Sequence, residues 1–268
     1  MINTKGILSG TSHILKSDGP AVFDGPAAEA AGEDTRVALV TGSTSGFGRA
    51  IALRLLKEGF RVYGIGRNSA GAPTHESFIF LEADLRDEKA IANIVSELPK
   101  PLALLVNAAG VAYYGPHETL SPDSIAEMVE VNVTAPMILA NLLLPSLRSC
   151  CGTILNVSSV TAKQNSNTHG CAYGATKAAL SSFSESLFAE CRRSGVRVLT
   201  LHPDLADTAL YRYADFTPDP APDSCLSAEE VAEAAWLMCS ARDGLAVTDV
   251  TLRPQRNRII RKTNSTES

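Results

Sequence analysis

Tyr173 and Lys177 are the two residues of this 268-residue chain whose types and spacing point most directly to chemistry. They stand four apart in AYGATKAALSSFSESLFAECRRSG, which has helical periodicity, so they share one helix face. A phenol acts as a general acid near neutral pH only if its pKa falls from about 10, and a nearby cation lowers it by favouring the phenolate. Alone, Tyr-x-x-x-Lys also fits a solvated helix face. A second feature is the turn Gly42-Ser43-Thr44-Ser45-Gly46-Phe47-Gly48. Glycines let the backbone approach a pyrophosphate, and a following helix N-terminus favours negative charge. A loop used only to turn the chain would carry similar residues.

These groups need elements to position them. The run RVALVT before the glycine turn reads as a strand, and RAIALRLLKEG after it reads as a helix closed by Gly59. Further strands are expected at RVYGIG, SFIFLEA, LALLVNAAG, GTILNVSS, VRVLTLHP and AVTDVTLRP. Helices are expected at DEKAIANIVSEL, from about Ser121 to Leu147 with Ser121-Pro122 as N-cap and N1, at 172–195, and at SAEEVAEAAWLMCSA with Ser227 and Glu230 as a capping box. Apolar strands alternating with helices imply an α/β doubly wound Rossmann fold. Its seven-stranded, mostly parallel sheet would carry helices on both faces. Residues 35–268 read as one such domain. Residues 1–34, rich in Gly, Ala, Ser, Thr and Pro, read as a flexible extension with at most a weak hairpin.

In order along the chain, these motifs resemble those of the short-chain dehydrogenase/reductase family. The turn fits T-G-x-x-x-G-x-G, Asn107-Ala108-Ala109-Gly110 is similar to N-N-A-G, Tyr173 to Lys177 supplies Y-x-x-x-K, and Pro203 to Thr208 resembles P-G-x-x-x-T. The resemblance implies hydride transfer between a nicotinamide and a carbonyl or alcohol, with Tyr173 as proton donor and Lys177 on the nicotinamide ribose. It implies that Ser159, or its neighbour Ser158, polarises the substrate carbonyl, and that Asn132 holds a water linking Lys177 to solvent. It places Gly42, Ser43, Ser45, Gly46, Phe47, Gly48, Asp84, Leu85, Asn107, Ala108, Gly110, Pro203, Leu205 and Thr208 on the cofactor. Asp204 replaces the family's usual glycine, either structurally or to meet a cationic substrate group. Family members commonly form dimers or tetramers, so a homodimer or homotetramer is expected. The ending VTDVTLRPQ resembles relatives that reduce small polar carbonyls, some in secondary metabolism.

The cofactor choice rests on the end of the second strand, where an acid would accept the ribose 2′-OH of NAD. Gly66 holds that position, and Arg67 and Asn68 follow. An arginine suits a 2′-phosphate and glycine leaves room for it, so NADP(H) is expected over NAD(H), with Arg67 as a plain solvated charge the competing reading. The Pro-rich segment 209–225, with Tyr211, Tyr213 and Phe216, is expected to close over the substrate. Tyr113, Tyr114 and His117 could border the same pocket.

Composition narrows the partners. The chain is 45% hydrophobic and 20% charged, with a net charge of −5. That balance suits a soluble globular protein and gives no global field for nucleic acid or an anionic membrane. The most apolar stretch, Pro136 to Leu147, is short and interrupted by Asn141. The basic tail RPQRNRIIRK lacks interleaved aromatics and reads as solvated. The six cysteines form no C-x-x-C pair, and without a secretory leader they read as reduced thiols of a cytoplasmic protein, with no metal expected.

Overall fold

The computed structural model describes residues 36–262. The expected extension at 1–34 and its candidate hairpin lie outside them. Seven strands form one sheet: β1 (Val37–Thr41), β2 (Arg61–Gly66), β3 (Phe78–Glu82), β4 (Leu104–Asn107), β5 (Thr153–Val157), β6 (Arg197–Pro203) and β8 (Asp249–Leu252). Their order is β3-β2-β1-β4-β5-β6-β8, and every pairing is parallel. The period of two along each strand divides the core. Ala38 and Val40 of β1 pack with α1 (Gly46–Lys57) and α6 (Ala228–Cys239), whereas Val37 and Leu39 pack with α2 (Glu88–Glu97), α4 (Ala135–Ser149) and α5 (Cys171–Cys191). This is the doubly wound α/β fold that the alternation predicts.

Local chemistry explains the element ends. The Ser227 hydroxyl accepts from the Glu230 N–H while the Glu230 carboxylate accepts from the Ser227 N–H, the expected capping box. Ser121 caps α3 (Pro122–Val129) by accepting from the Ser124 N–H. The helix after the first glycine turn starts at Gly46, three residues earlier than periodicity suggests, with the carbonyl of its N-cap Ser45 accepting from the Arg49 N–H.

The long helix expected from Ser121 runs from Pro122 to Ser149 but opens into a π-turn at Glu130–Thr134. Pro136 has no N–H to give the carbonyl of Asn132, four residues back, so the regular ladder cannot continue there. By length and composition this helix could cross a membrane. Here it is a core helix: Leu139, Leu143 and Leu147 are buried against the sheet, and Asp123, Glu127, Glu130 and Arg148 occupy its other face.

The tail is not simply solvated, as its composition suggests. β7 (Phe216–Pro218) pairs antiparallel with β9 (Ile259–Arg261), so the tail is strapped across the segment at 209–225. Lys262 Nζ donates to the carbonyls of Tyr211 and Arg212, Arg261 meets Asp215, and Arg256 meets Asp223. Periodicity misses a three-residue strand whose partner lies forty residues away. Ending the chain after Pro254 removes β9 and Lys262 while leaving the sheet intact. Protease cleavage within 209–225 is then expected to accelerate ~10-fold or more with little change in unfolding midpoint, because only a local opening becomes easier. An unchanged cleavage rate in limited proteolysis would show that the strap does not hold the segment.

Candidate active site

A cleft of about 1200 Å³, counting its open mouth, lies at the C-terminal ends of the strands, over the point where strand order reverses between β1 and β4. Its floor is the glycine turn. Gly42 and Gly46 have positive φ, +68° and +49°, and a Cβ on Gly42 would come within 2.9 Å of Ala109 Cα. A Cβ on Gly48 would lie 2.3 Å from the Gly42 carbonyl, so Gly48 serves the close packing beneath the turn and not the cleft surface. Ser45, the N-cap of α1, makes no side-chain cap, and no acid sits in the first turn. The positive end of α1 therefore faces the cleft without a protein anion, a cradle that fits a pyrophosphate.

The second wall comes from the end of β4. Thr41 Oγ1 accepts the N–H groups of Ala108 and Ala109 at 3.1 Å each, which ties that turn to β1. Ala108, Ala109 and Gly110 line the cleft. Asn107 does not: its Nδ2 donates to Asn156 Oδ1, and Asn156 in turn donates to Ser184, all buried beneath the site. Ser43 also departs from expectation, with its hydroxyl turned away to the Ile65 carbonyl. Asn68 lies beyond the rim, and its Oδ1 accepts from the Ala70 N–H. Pro203 and Leu205 are buried behind the wall, whereas Thr208 borders the cleft. Asp204 is structural, accepting from the Leu205 N–H and Asn257 and standing 3.6 Å from Arg253.

At the rim, Gly66, Arg67, Asp84 and Leu85 come together as expected. Hydrogen bonds from Arg86, working against partial burial, hold the Asp84 carboxyl below its ordinary range. Arg67 is exposed and lies 3.7 Å from Glu127. Glu127 also accepts from the Tyr113 hydroxyl at 2.5 Å, a bond that, together with burial, pushes that phenol up to about 12. Neither Glu127 nor Thr41 is apparent from the sequence, since each belongs to an ordinary helix or strand pattern.

The reactive end is built on α5 and β5. Tyr173 and Lys177 are buried, with Lys177 Nζ 5.8 Å from the Tyr173 ring centre. The ammonium donates to the Val157 carbonyl at 3.0 Å. The two adjacent serines separate cleanly. The Ser158 hydroxyl donates to the Lys177 carbonyl and lies 2.8 Å from Ser181 Oγ, whereas the Ser159 hydroxyl accepts from the Thr161 N–H and meets the Tyr173 phenol. Asn132, in the π-turn, holds the N–H and carbonyl of Val111 with its amide and donates to Thr176. A Cβ on Gly110 would lie 3.4 Å from both Asn132 Oδ1 and Lys177 Nζ, so these two polar atoms flank one small space.

One electrostatic expectation is corrected. Tyr173 is not lowered by Lys177; burial pushes its phenol well above 10, and only the hydrogen bond with Ser159 pulls the other way. Burial likewise lowers the amine of Lys177 to about 8. In this low-dielectric pocket desolvation outweighs the attraction expected from four-residue spacing.

Beside the phenol, Tyr114 packs against Tyr173, Tyr211 and Phe216 at ring-centre distances of 5.6, 5.9 and 5.5 Å. The strapped segment thus covers the reactive end with aromatic surface, and Tyr213 stacks on Tyr113 farther along. His117 is exposed, with Nδ1 3.4 Å from Cys171 Sγ.

Residues 36–216 match the short chain dehydrogenase family. The serine 3-dehydrogenase of Agrobacterium fabrum is 35% identical over 179 residues, 63% of this chain and 72% of that one. A Burkholderia cenocepacia short chain dehydrogenase solved with NADP superposes with a TM-score of 0.72 at 26% identity, covering 82% of this chain and 88% of that chain. A 3-ketoacyl-(acyl-carrier-protein) reductase from Brucella melitensis solved with NADH gives 0.72 at 27% identity, covering 83% and 98%.

The buried amine has a measurable consequence. Its folded value of about 8 lies below its ordinary 10.5, so between those values the unfolded chain binds more protons and stability rises with pH. Below pH ~8 the wild type carries a penalty of about 3 kcal/mol that Lys177→Met lacks. Urea unfolding should show Lys177→Met gaining on the wild type at pH ~7 relative to pH ~10. A difference that does not change with pH would contradict the buried-cation reading.

Proposed function

The chain belongs to the short-chain dehydrogenase family, and from that premise we propose that it is an NADP(H)-dependent oxidoreductase that reduces an aldehyde or ketone. The observation that carries this reading is a cleft lined at one end by Tyr173 and Lys177, with Ser159 against the phenol behind that lining, and at the other end by the bare glycine turn and Arg67. When bound, the nicotinamide supplies the hydride. Gly42, Gly46 and the first turn of α1 would hold the pyrophosphate. Arg67, beside side-chain-free Gly66, would hold the 2′-phosphate, and structural neighbours bound to NADP support that choice.

Each reactive residue has one task. Tyr173 would give its proton to the carbonyl oxygen; burial keeps the phenol protonated through the neutral range but also makes it a weaker acid than the four-residue spacing to Lys177 suggests. The Ser159 hydroxyl accepts from a backbone N–H and meets the Tyr173 phenol, so a carbonyl oxygen entering between them would take the Ser159 proton from the phenol. Lys177, fixed by the Val157 carbonyl, would orient the ribose, and the space it shares with Asn132 suits a water that returns a proton to Tyr173. Tyr114, Tyr211 and Phe216 exclude water from the reacting atoms and favour a substrate with apolar parts. The likeness to serine 3-dehydrogenase supports a second reading, oxidation of a small hydroxy acid, so L-serine with NADP belongs in the same assay. Exposed Val129 and Leu142 on the long helix support action as a homo-oligomer.

Two variants test the reading. Tyr173→Phe should lose turnover by ~10²-fold or more with NADPH across a panel of aldehydes and ketones, while NADPH fluorescence still reports binding. Near-native turnover in this variant would remove Tyr173 from the reaction. Arg67→Ala should raise the KM for NADPH by ~10-fold or more and leave that for NADH nearly unchanged. A preference of the wild type for NADH would overturn the choice of cofactor.

A further inference from the structure

His202 is buried at the end of β6, with 1% of its surface exposed. Its Nδ1 lies 3.1 Å from the carbonyl oxygen of Ser159, and its Nε2 lies 2.8 Å from Asp249 Oδ2 on β8. Lys163, on the turn after β5, donates to the other Asp249 oxygen at 2.5 Å and to the Thr251 hydroxyl at 3.0 Å. A carbonyl and a carboxylate only accept hydrogen bonds, whereas a neutral imidazole has a single N–H. One protonated nitrogen would satisfy one of these acceptors and turn a lone pair on the other. Both contacts are favourable together only when the ring carries a proton on each nitrogen.

We propose that His202 is a positioning residue: as an imidazolium it pins the Ser159 peptide by its carbonyl and ties it, through Asp249, to Lys163 at the surface. Three contacts then fix Ser159: the His202 ring on its carbonyl, the Thr161 N–H on its hydroxyl, and the Tyr173 phenol in front of it. The hydroxyl needs such fixing because it must meet the substrate oxygen without rearranging. Asp249 is suited to its part. Burial opposes its ionisation, but the hydrogen bond from Lys163 and the nearby His202 hold its carboxyl below the ordinary range. Asp249 is the charged group that meets this ring, with Lys163 on its other oxygen; Asp204 and Arg253, next along β6 and β8, pair with each other instead.

The inference rests on the reading of Ser159 as the residue facing the substrate oxygen, and two substitutions separate the ring's two contacts. His202→Asn places an amide donor near the Nδ1 position, facing Ser159, and does not titrate. His202→Gln places its donor near Nε2, facing Asp249. With NADPH and the best carbonyl of the panel, His202→Asn should keep kcat within ~3-fold of the wild type, and His202→Gln should lose ~100-fold, the scale of a small misplacement, with NADPH affinity unchanged in both. Asp249→Asn, a change at the surface end, should lower kcat by ~10-fold with NADPH affinity unchanged, because the ring behind Ser159 loses its charged acceptor. That split between kcat and cofactor affinity is one that a purely structural role would not give, and it stands as the test if the His202 variants fold poorly. In the whole wild-type chain, ¹⁵N spectra of the ring at neutral pH should show both nitrogens protonated. A single protonated nitrogen, equal losses in the Asn and Gln variants, or an unmoved kcat in Asp249→Asn would each overturn the proposal. A wild type that turns over no carbonyl would instead overturn the functional reading, leaving the ring's protonation to the spectra.

Discussion

An ammonium buried in the protein with one carbonyl as its hydrogen-bond partner among the described residues is an unfavourable arrangement, and the site is organised around it. Lys177 gains no carboxylate in return for its lost hydration, so its retention opposes stability. The fold supports it by geometry. The Val157 carbonyl at the end of β5 receives its proton, the neighbouring Ser158 hydroxyl fastens to the carbonyl of Lys177 itself, and Ser181 adds a second bond one turn on. The end of β5 and the face of α5 are thereby locked in one register. That register decides which of two adjacent serines turns toward the phenol.

The supports extend outward from that lock. Beneath it, Asn107, Asn156 and Ser184 form a buried amide and hydroxyl chain that joins β4, β5 and α5. On one side, the π-turn presents Asn132 to the same space as the amine, and Pro136 just beyond it gives no N–H back to the Asn132 carbonyl. On the other side, His202 holds the Ser159 peptide from behind. Rigid elements thus fix the chemical end, whereas a loop held by the strapped tail covers it. A fixed centre under an adjustable cover lets one fold serve many substrates.

The sequence carries most of the architecture because strand and helix periodicities are local. Seven strands, the capping box at Ser227 and the helix start at Ser121 can all be read from neighbours within a few residues. The tyrosine–lysine pair and the glycine turn are legible for the same reason. What escapes is whatever depends on distant partners. β7 and β9 are too short to show a period, and each gains its pairing from a segment forty residues away. Ser43 and Asn107 sit inside motifs that suggest cofactor contact, yet their side chains answer to Ile65 and Asn156, which the motifs do not contain. The ionisation of Tyr173 escapes too, because spacing reports proximity to a cation but not the dryness that outweighs it.

In the proposed reaction, hydride passes from the nicotinamide to a carbonyl held between Ser159 and Tyr173. Its most direct test is to incubate the protein with NADPH carrying deuterium on both hydrogens at C4 of the nicotinamide and a panel of aldehydes and ketones, and to examine the products by mass spectrometry. The expected product is an alcohol whose former carbonyl carbon bears deuterium. Firm binding of the labelled NADPH with no deuterium entering any product would contradict it.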